Sequence, residues 1–408
     1  MKRLLVALLV LSACHKSPVG PDTAKTIVLP PAGVGVMASE NQFALDLFQA
    51  VNLRDTAVKN KMISPFSVYM ALGMADNGAA GSTLDSINGT LRLGSLTLDD
   101  LNATATALIQ QLPSEDREVT LSVANSEWYS QSMTPLTSFS TTVQKDYLAQ
   151  VQALNFTDPS AVTTINQWVA AQTQNMIPKI ITQIEPKETL FLINATYFKG
   201  SWTTSFDAAD TRNEPFTRAD GVQENVPTMA IDKPTNYPYM RNDSVTVVEL
   251  PYGGGHYVMD ILEPAPGMDI RALSASLTPG RLGAWFDQLK PLYCEVTLPR
   301  FQFDYSVDTM ASELTGMGMG IAFSDTANFS NMYNVPTYIS RVVHKTAIEV
   351  DETGTKAAAA TGVGVVAATA PAIQLVQLNH AFLFTIRETT SGVVLFVGML
   401  NDPLSAGD

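Results

Sequence analysis

Residues 343–371 constrain the fold of this chain more than any other segment. Val343-His344-Lys345-Thr346-Ala347-Ile348-Glu349-Val350 alternates as a strand does. Asp351-Glu352-Thr353-Gly354-Thr355 then turns. From Lys356 to Pro371 there are almost no large or charged side chains. Four alanines favour a helix, but Gly362, Gly364, Thr361, Val363, Val365 and Val366 oppose it. Read with a period of two, the face of Thr355, Ala357, Ala359, Thr361, Val363 and Val365 passes from small to Val-rich. The face of Lys356, Ala358, Ala360, Gly362, Gly364 and Val366 stays small. Composition alone reads this as a surface loop or linker. The pattern leaves a second reading open, a segment that also fits between two existing strands, because nothing on it is too bulky to enter.

Charge and motif content exclude several classes. The 408 residues carry 25 Lys and Arg against 39 Asp and Glu, a net charge of −14 with no basic run, which is unlike a nucleic-acid binder. A hydrophobic share of 46% excludes a disordered chain. Two cysteines exclude a disulfide scaffold, and four scattered histidines argue against a zinc site. No Gly-x-Ser-x-Gly, His-Glu-x-x-His or Walker-type phosphate loop occurs, and Gly316, Gly318 and Gly320 do not complete a dinucleotide fingerprint. No metal, nucleotide or heparin-like cofactor is expected, and the acidic balance argues against the last.

The N-terminus reads as an address and an anchor. Met1-Lys2-Arg3 is basic, and Leu4 to Leu11 is an apolar run far shorter than the ~20 residues a spanning helix needs. It ends Leu11-Ser12-Ala13-Cys14, which looks like a bacterial lipobox, cut before a lipidated Cys14. The plainer alternative is a cleaved signal with a chance Cys at its edge. The organisation expected is a signal over 1–13, a lipidated Cys and flexible tether over 14–37, and one domain over 38–408. His15 after the Cys favours the outer membrane of a Gram-negative source. The tether reading rests on Pro18, Pro21, Pro30, Pro31, Gly20, Gly33 and Gly35.

Within the body, Phe43 to Val51 opens an amphipathic helix, Ser64-Pro65 suits a helix start, and Val68 to Ala75 reads as a buried helix. Helices are also expected over 102–112 and 161–175. Strands are expected over 121–129, 190–199, 226–231, 245–250, 256–262, 293–299, 338–351, 373–376, 381–387 and 393–399. The mixture lacks regular βαβ alternation, so the fold class is α+β. Cys294 lies in an apolar strand and reads as a buried free thiol.

These residues resemble the serpins, a family of serine protease inhibitors, over about 38–403. The markers are Ile63-Ser64-Pro65-Phe66-Ser67, Gly78-Ala79-Ala80-Gly81-Ser82-Thr83, Asn194 to Trp202, Leu298-Pro299-Arg300-Phe301 and Val343-His344-Lys345. Glu349 to Ala357, Leu378 to Phe382, and Phe396 to Pro403 complete the set. The resemblance implies three β-sheets, eight to nine helices and an exposed reactive-centre loop. It implies a monomer with no catalytic residues of its own. The protease would attack a bait bond, and the cut loop would enter the central sheet as a new strand.

By that resemblance the hinge is Glu352, Gly354, Thr355, Ala357, Ala358, Ala359, Ala360 and Thr361, with no residue to jam it. The family spacing places the bait bond at Ala368–Thr369, with Val366 and Ala367 as alternates. Small residues there suit the shallow pocket of an elastase-like or broad-specificity protease, subtilisin-like enzymes included. Ser64, Ser67, Asn194 and His344 match a polar cluster under the opening point of the sheet. For His344 a satisfied core histidine is an equal reading. Trp202 matches the place where the loop first enters, and a plain core tryptophan is as good a reading. A non-inhibitory serpin, acting as a binding or chaperone-like surface lipoprotein, is the alternative function. Fourteen residues, Thr355 to Ala368, would add a strand of ~46 Å. Its ladder bonds are worth on the order of 10 kcal/mol, comparable to the stability of a whole domain.

Overall fold

The computed structural model describes residues 26–231, 233–354 and 372–406. Helix α1 (Gly33–Arg54) buries Phe43, Ala44, Leu47, Phe48 and Val51 on one face, as the periodicity required. It starts inside the stretch expected to be tether as far as residue 37. Val36 and Met37 are buried, and the Gln111 side chain brackets Val28, accepting from its N–H at 2.9 Å and donating to its carbonyl at 3.0 Å. Pro30 and Pro31 precede the helix, where proline is tolerated, so they mark its start and not a continuing tether.

Strand β1 (Lys61–Ile63) leads into α2 (Pro65–Gly78). The Ser64 hydroxyl accepts from the Ser67 N–H at 3.3 Å, and Pro65 opens the helix where a missing N–H costs nothing. Every α2 residue but Asn77 is buried. Next come α3 (Gly81–Thr90), α4 (Leu98–Gln111), β2 (Val119–Ser130), α5 (Thr137–Asp146), β3 (Gln150–Leu154), α6 (Ser160–Gln172) and β4 (Leu190–Gly200). The chain continues through β5 (Arg212–Thr217), β6 (Gln223–Ala230), β7 (Thr235–Arg241), β8 (Val245–Tyr252) and β9 (Tyr257–Pro264). Helices α7 (Ile270–Ala275) and α8 (Pro279–Phe286) precede β10 (Lys290–Pro299) and β11 (Phe301–Val307). Then follow α9 (Ala311–Leu314), β12 (His344–Val350), β13 (Gln374–Gln377), β14 (Phe382–Glu388) and β15 (Val394–Leu400).

The strands form three sheets, and the described residues hold nine α-helices, as expected for the α+β class. The largest sheet has ten strands in the order β1-β15-β14-β9-β8-β7-β10-β6-β5, with β13 parallel to β10. Its inner strand β15 is buried at all seven positions, which explains a continuous apolar run where alternation would mark a half-exposed strand. The second sheet is β3-β2-β4 and the third is β11-β12. The strand expected over 338–351 begins only at His344. The Ile339 N–H is committed to Ala322 and the Val342 carbonyl to Met310, so this lead-in bonds elsewhere.

The pleat of β4 sorts its side chains onto two sides. Leu190, Leu192 and Phe198 join the main core, whereas Phe191, Ile193 and Ala195 join a smaller cluster. That cluster also holds Ile165 and Val169 of α6, together with Ile177, Ile181, Trp128 and Val343. Helix α6 and the segment after it therefore cover the outer face of the β3-β2-β4 sheet. Cys294 is fully buried, and burial pushes its thiol up to about 11, so it packs as an apolar side chain.

Candidate functional site

One edge of β4 is paired to β2 along its whole length, from Leu190 opposite Tyr129 to Gly200 opposite Val119. One edge of β12 is likewise paired to β11, from His344 opposite Val307 to Val350 opposite Phe301. The other edges face each other and, among the described residues, are joined at their ends. Phe191 bridges Arg341 in the parallel sense at one end, and Ser201 bridges Gly354 at the other. Among the described residues no ladder connects the nine β4 positions 192–200 to β12. The result is a slot between two strand edges, pinned at both ends. A strand edge with unpaired N–H and C=O groups is a template for another strand.

The N-terminus of α2 lies beneath this slot and touches both edges. The Ser64 N–H donates to His344 Nε2 at 3.0 Å, and the Ser67 hydroxyl donates to the Asn194 carbonyl at 3.4 Å. The Asn194 amide in turn donates to Asn125 Oδ1 on β2 and accepts from the Thr196 hydroxyl at 2.9 Å. Thr346 adds a bond from its hydroxyl to the Met62 carbonyl at 2.7 Å. All four residues expected in the cluster are thus brought together. Burial lowers the His344 pKa to about 4, so its ring is neutral and Nε2 is free to accept. Asn125, Thr196 and Thr346 escaped the sequence reading, because single polar residues within strands give no periodic signal. A neutral network of this kind holds two strands in place and has partners that can be exchanged without freeing a buried charge.

The upper pin is a tight turn. Asp351 and Gly354 exchange backbone bonds, N–H to carbonyl, at 3.0 and 3.2 Å. The turn sits on Trp202: its backbone N–H donates to the Thr353 carbonyl and its indole Nε1 to the Asp351 carbonyl, both at 3.0 Å. The indole is stacked on Tyr252, with centroids 4.4 Å apart and planes 12° from parallel. Glu352 is buried. Its carboxylate accepts from the Thr211 hydroxyl and lies 3.5 Å from Arg300 Nε, while its carbonyl accepts from the Phe206 N–H at 2.9 Å. Gly354 has φ +130°, and a Cβ there would lie 2.2 Å from the Gly200 carbonyl oxygen. Only glycine allows the turn to close this far onto the end of β4.

Trp202 thus stands under the turn that precedes the small-residue segment. Thr211, Arg300 and Tyr252 are the supporting residues that the sequence reading missed. Thr355, Ala357, Ala358, Ala359, Ala360 and Thr361 of the expected hinge lie outside the described residues. So do the expected bait residues Val366, Ala367, Ala368 and Thr369, the exposed loop itself, and Cys14.

Comparison with known proteins agrees with this geometry. A family model described as Serpin (serine protease inhibitor) matches residues 38–403. A leukocyte elastase inhibitor of Sus scrofa is 34% identical over 378 residues, covering 90% of this chain and 99% of that protein. Iripin-2 of Ixodes ricinus is 32% identical over 369 residues, covering 89% and 92%. Among solved structures, the native state of the thermophilic serpin tengpin has a TM-score of 0.83 at 30% identity, covering 93% of this chain and 97% of that one.

Proposed function

Because the chain belongs to the serpin family of serine protease inhibitors, we propose that it is a suicide-substrate inhibitor that traps its protease as an acyl-enzyme. The observation that carries this reading is the slot. Two strand edges that no ladder joins among the described residues lie beside the turn that leads into a segment with no bulky residue. The protease serine attacks the carbonyl of Ala368, or of a neighbour. The bond to Thr369 breaks, the new amine leaves, and an ester to the protease remains. Release of that end lets Thr355 to Ala368 enter the slot, antiparallel to β4 and β12. The attached protease is carried along and distorted before water completes the hydrolysis. The chain supplies bait and spring, and the protease supplies the nucleophile.

The targets proposed are elastase-like or broad-specificity serine proteases, subtilisin-like ones among them. Val366, Ala367, Ala368 and Thr369 suit a shallow primary pocket. One relative also carries the name leukocyte elastase inhibitor. The protein is further proposed to act as a monomer held to the cell envelope through a lipidated Cys14, on the outer membrane of a Gram-negative bacterium. That reading is supported by the basic start, the short apolar run and Leu11-Ser12-Ala13-Cys14.

The test mixes a form lacking residues 1–14 with pancreatic elastase, subtilisin and trypsin, followed by denaturing gels and mass spectrometry. An adduct of summed mass that survives denaturant, with a C-terminal piece beginning near Thr369, is the expected result. Thr355→Arg should abolish the adduct and leave clean cutting, because a long charged side chain blocks the start of insertion. Cutting by every protease with no adduct would favour a non-inhibitory binding role.

A further inference from the structure

The lower pin is built differently from the upper one. Arg341, just before β12, bridges Phe191 through its backbone, and its guanidinium lies over the Phe191 ring, 5.3 Å from the centroid. The same guanidinium donates from Nη2 to Glu188 Oε2 and to the Gln183 carbonyl, each at 2.8 Å, and its Nε contacts Glu188 Oε1. This is a largely buried carboxylate contact, one charge-assisted hydrogen bond with a second guanidinium nitrogen beside the other carboxylate oxygen, among the stronger kinds of polar contact. Glu188 is itself held, because Oε2 accepts from the Glu185 N–H at 2.7 Å. The segment between α6 and β4 is fastened to α6 as well. Asn166 accepts from the N–H groups of Ile180 and Ile181 at 2.8 and 3.0 Å and donates to the Ile181 carbonyl at 2.8 Å. Arg341 therefore ties three things together: the start of β4, the lead-in to β12, and the segment that covers them.

The slot between the pins is shorter than the strand it is proposed to accept. Positions 192–200 of β4 provide nine places, whereas Thr355 to Ala368 is fourteen residues. An inserting strand meets the Phe191–Arg341 bridge with five residues still to place, and that bridge must open for it to pass.

We propose that Arg341 is a latch on the far end of the central slot, a positioning residue that limits the last stage of strand insertion and leaves the first stage free. The proposal rests on the insertion mechanism above, but it is tested without a protease. A fluorescent synthetic peptide of the sequence Thr355–Ala368 is offered to the full chain, and its uptake rate is measured. A shorter peptide, Thr355–Val363, fits between the pins and serves as the control.

Arg341→Ala should take up the long peptide roughly tenfold faster, the factor expected from losing one charge-assisted contact. Uptake of the short peptide should be unchanged. Glu188→Gln, reached from the other partner, should act in the same direction. Arg341→Lys should fall between, since it keeps the charge and loses the fork. The loop-cut form should melt at the same temperature in all variants, because its latch is already open.

Equal acceleration of both peptides, or a matching fall in the melting temperature of the cut form, would mean a merely structural role and overturn the latch. So would wild-type uptake rates in folded Arg341→Ala and Glu188→Gln. If the wild-type chain traps no protease yet the variants still speed the long peptide alone, the inhibitor reading falls and the latch stands. If trapping occurs and the rates do not change, the latch falls alone. No uptake by any form overturns both.

Discussion

The ten-stranded sheet and the divided central sheet are built from similar residues and finished in different ways. In the large sheet the inner edges are paired and the interior is closed sterically. Gly398 of β15 lies so near Phe384 of β14 that a Cβ would sit 2.2 Å from its ring. Its polar groups include a buried ion cluster around Arg387. Arg387 donates to Asp260 with Nε at 2.8 Å and Nη2 at 3.1 Å, and it also contacts Glu249. In the central region, among the described residues, no ladder joins the two edges over nine positions of β4. The residues beneath them are neutral: a histidine, serines, asparagines and threonines. A buried charge network is costly to take apart, because each partner left behind is an uncompensated ion. Neutral partners can be exchanged at a cost nearer that of ordinary hydrogen bonds. Away from the ion pairs at the two pins, Arg341 with Glu188 and Arg300 with Glu352, the chemistry of the two regions thus separates the part that stays fixed from the part that rearranges.

The sharpest way to break the comparison is to perturb each region and ask whether the loop-cut form feels it. Gly398→Ala should cost about 3 kcal/mol by overpacking against Phe384, equally in the intact and cut forms, as read by urea unfolding. An acid titration of stability should single out His344. Its folded pKa of about 4 lies below the ordinary 6.5, so as pH falls the unfolded chain takes up this proton first. The stabilisation is fully present above pH 6.5 and is lost between 6.5 and about 4. It amounts to about 3 kcal/mol at most. The difference between wild type and His344→Gln over that window isolates it, and a pH-independent difference would place the histidine's worth elsewhere. Gly354→Ala should lower the stability of the intact form by about 2 kcal/mol, since φ is +130° and the Gly200 carbonyl blocks a Cβ. The cut form should be nearly unaffected. Trp202→Phe removes the indole bond to the Asp351 carbonyl and should cost about 1 kcal/mol, again mainly in the intact form.

Much of the central region was legible in the chain, for local reasons. Ser64 followed by Pro65 announces a capped helix, the apolar run after it must be buried, and Gly354 after a strand marks a turn that a side chain would spoil. The four cluster residues came from family resemblance, and the structure brings them together. What was missed depends on contacts distant in sequence. β7 carries Pro238 within a mixed run, and α3 opens on Gly81 with polar residues after it, so neither has a clean period. Arg341 and Glu188 lie 153 residues apart, and nothing near either one names the other. The division of the central sheet into two unjoined edges is a property of pairing, which no strand's own composition encodes.

The most direct measurement is thermal unfolding before and after a single cut in the segment 355–371, with mass spectrometry fixing the cut. If the slot accepts the freed segment as a strand, the gain of on the order of 10 kcal/mol should raise the melting temperature by roughly ten degrees or more. A cut chain that melts where the intact chain melts would contradict the account, because the slot would then be an opening that nothing enters.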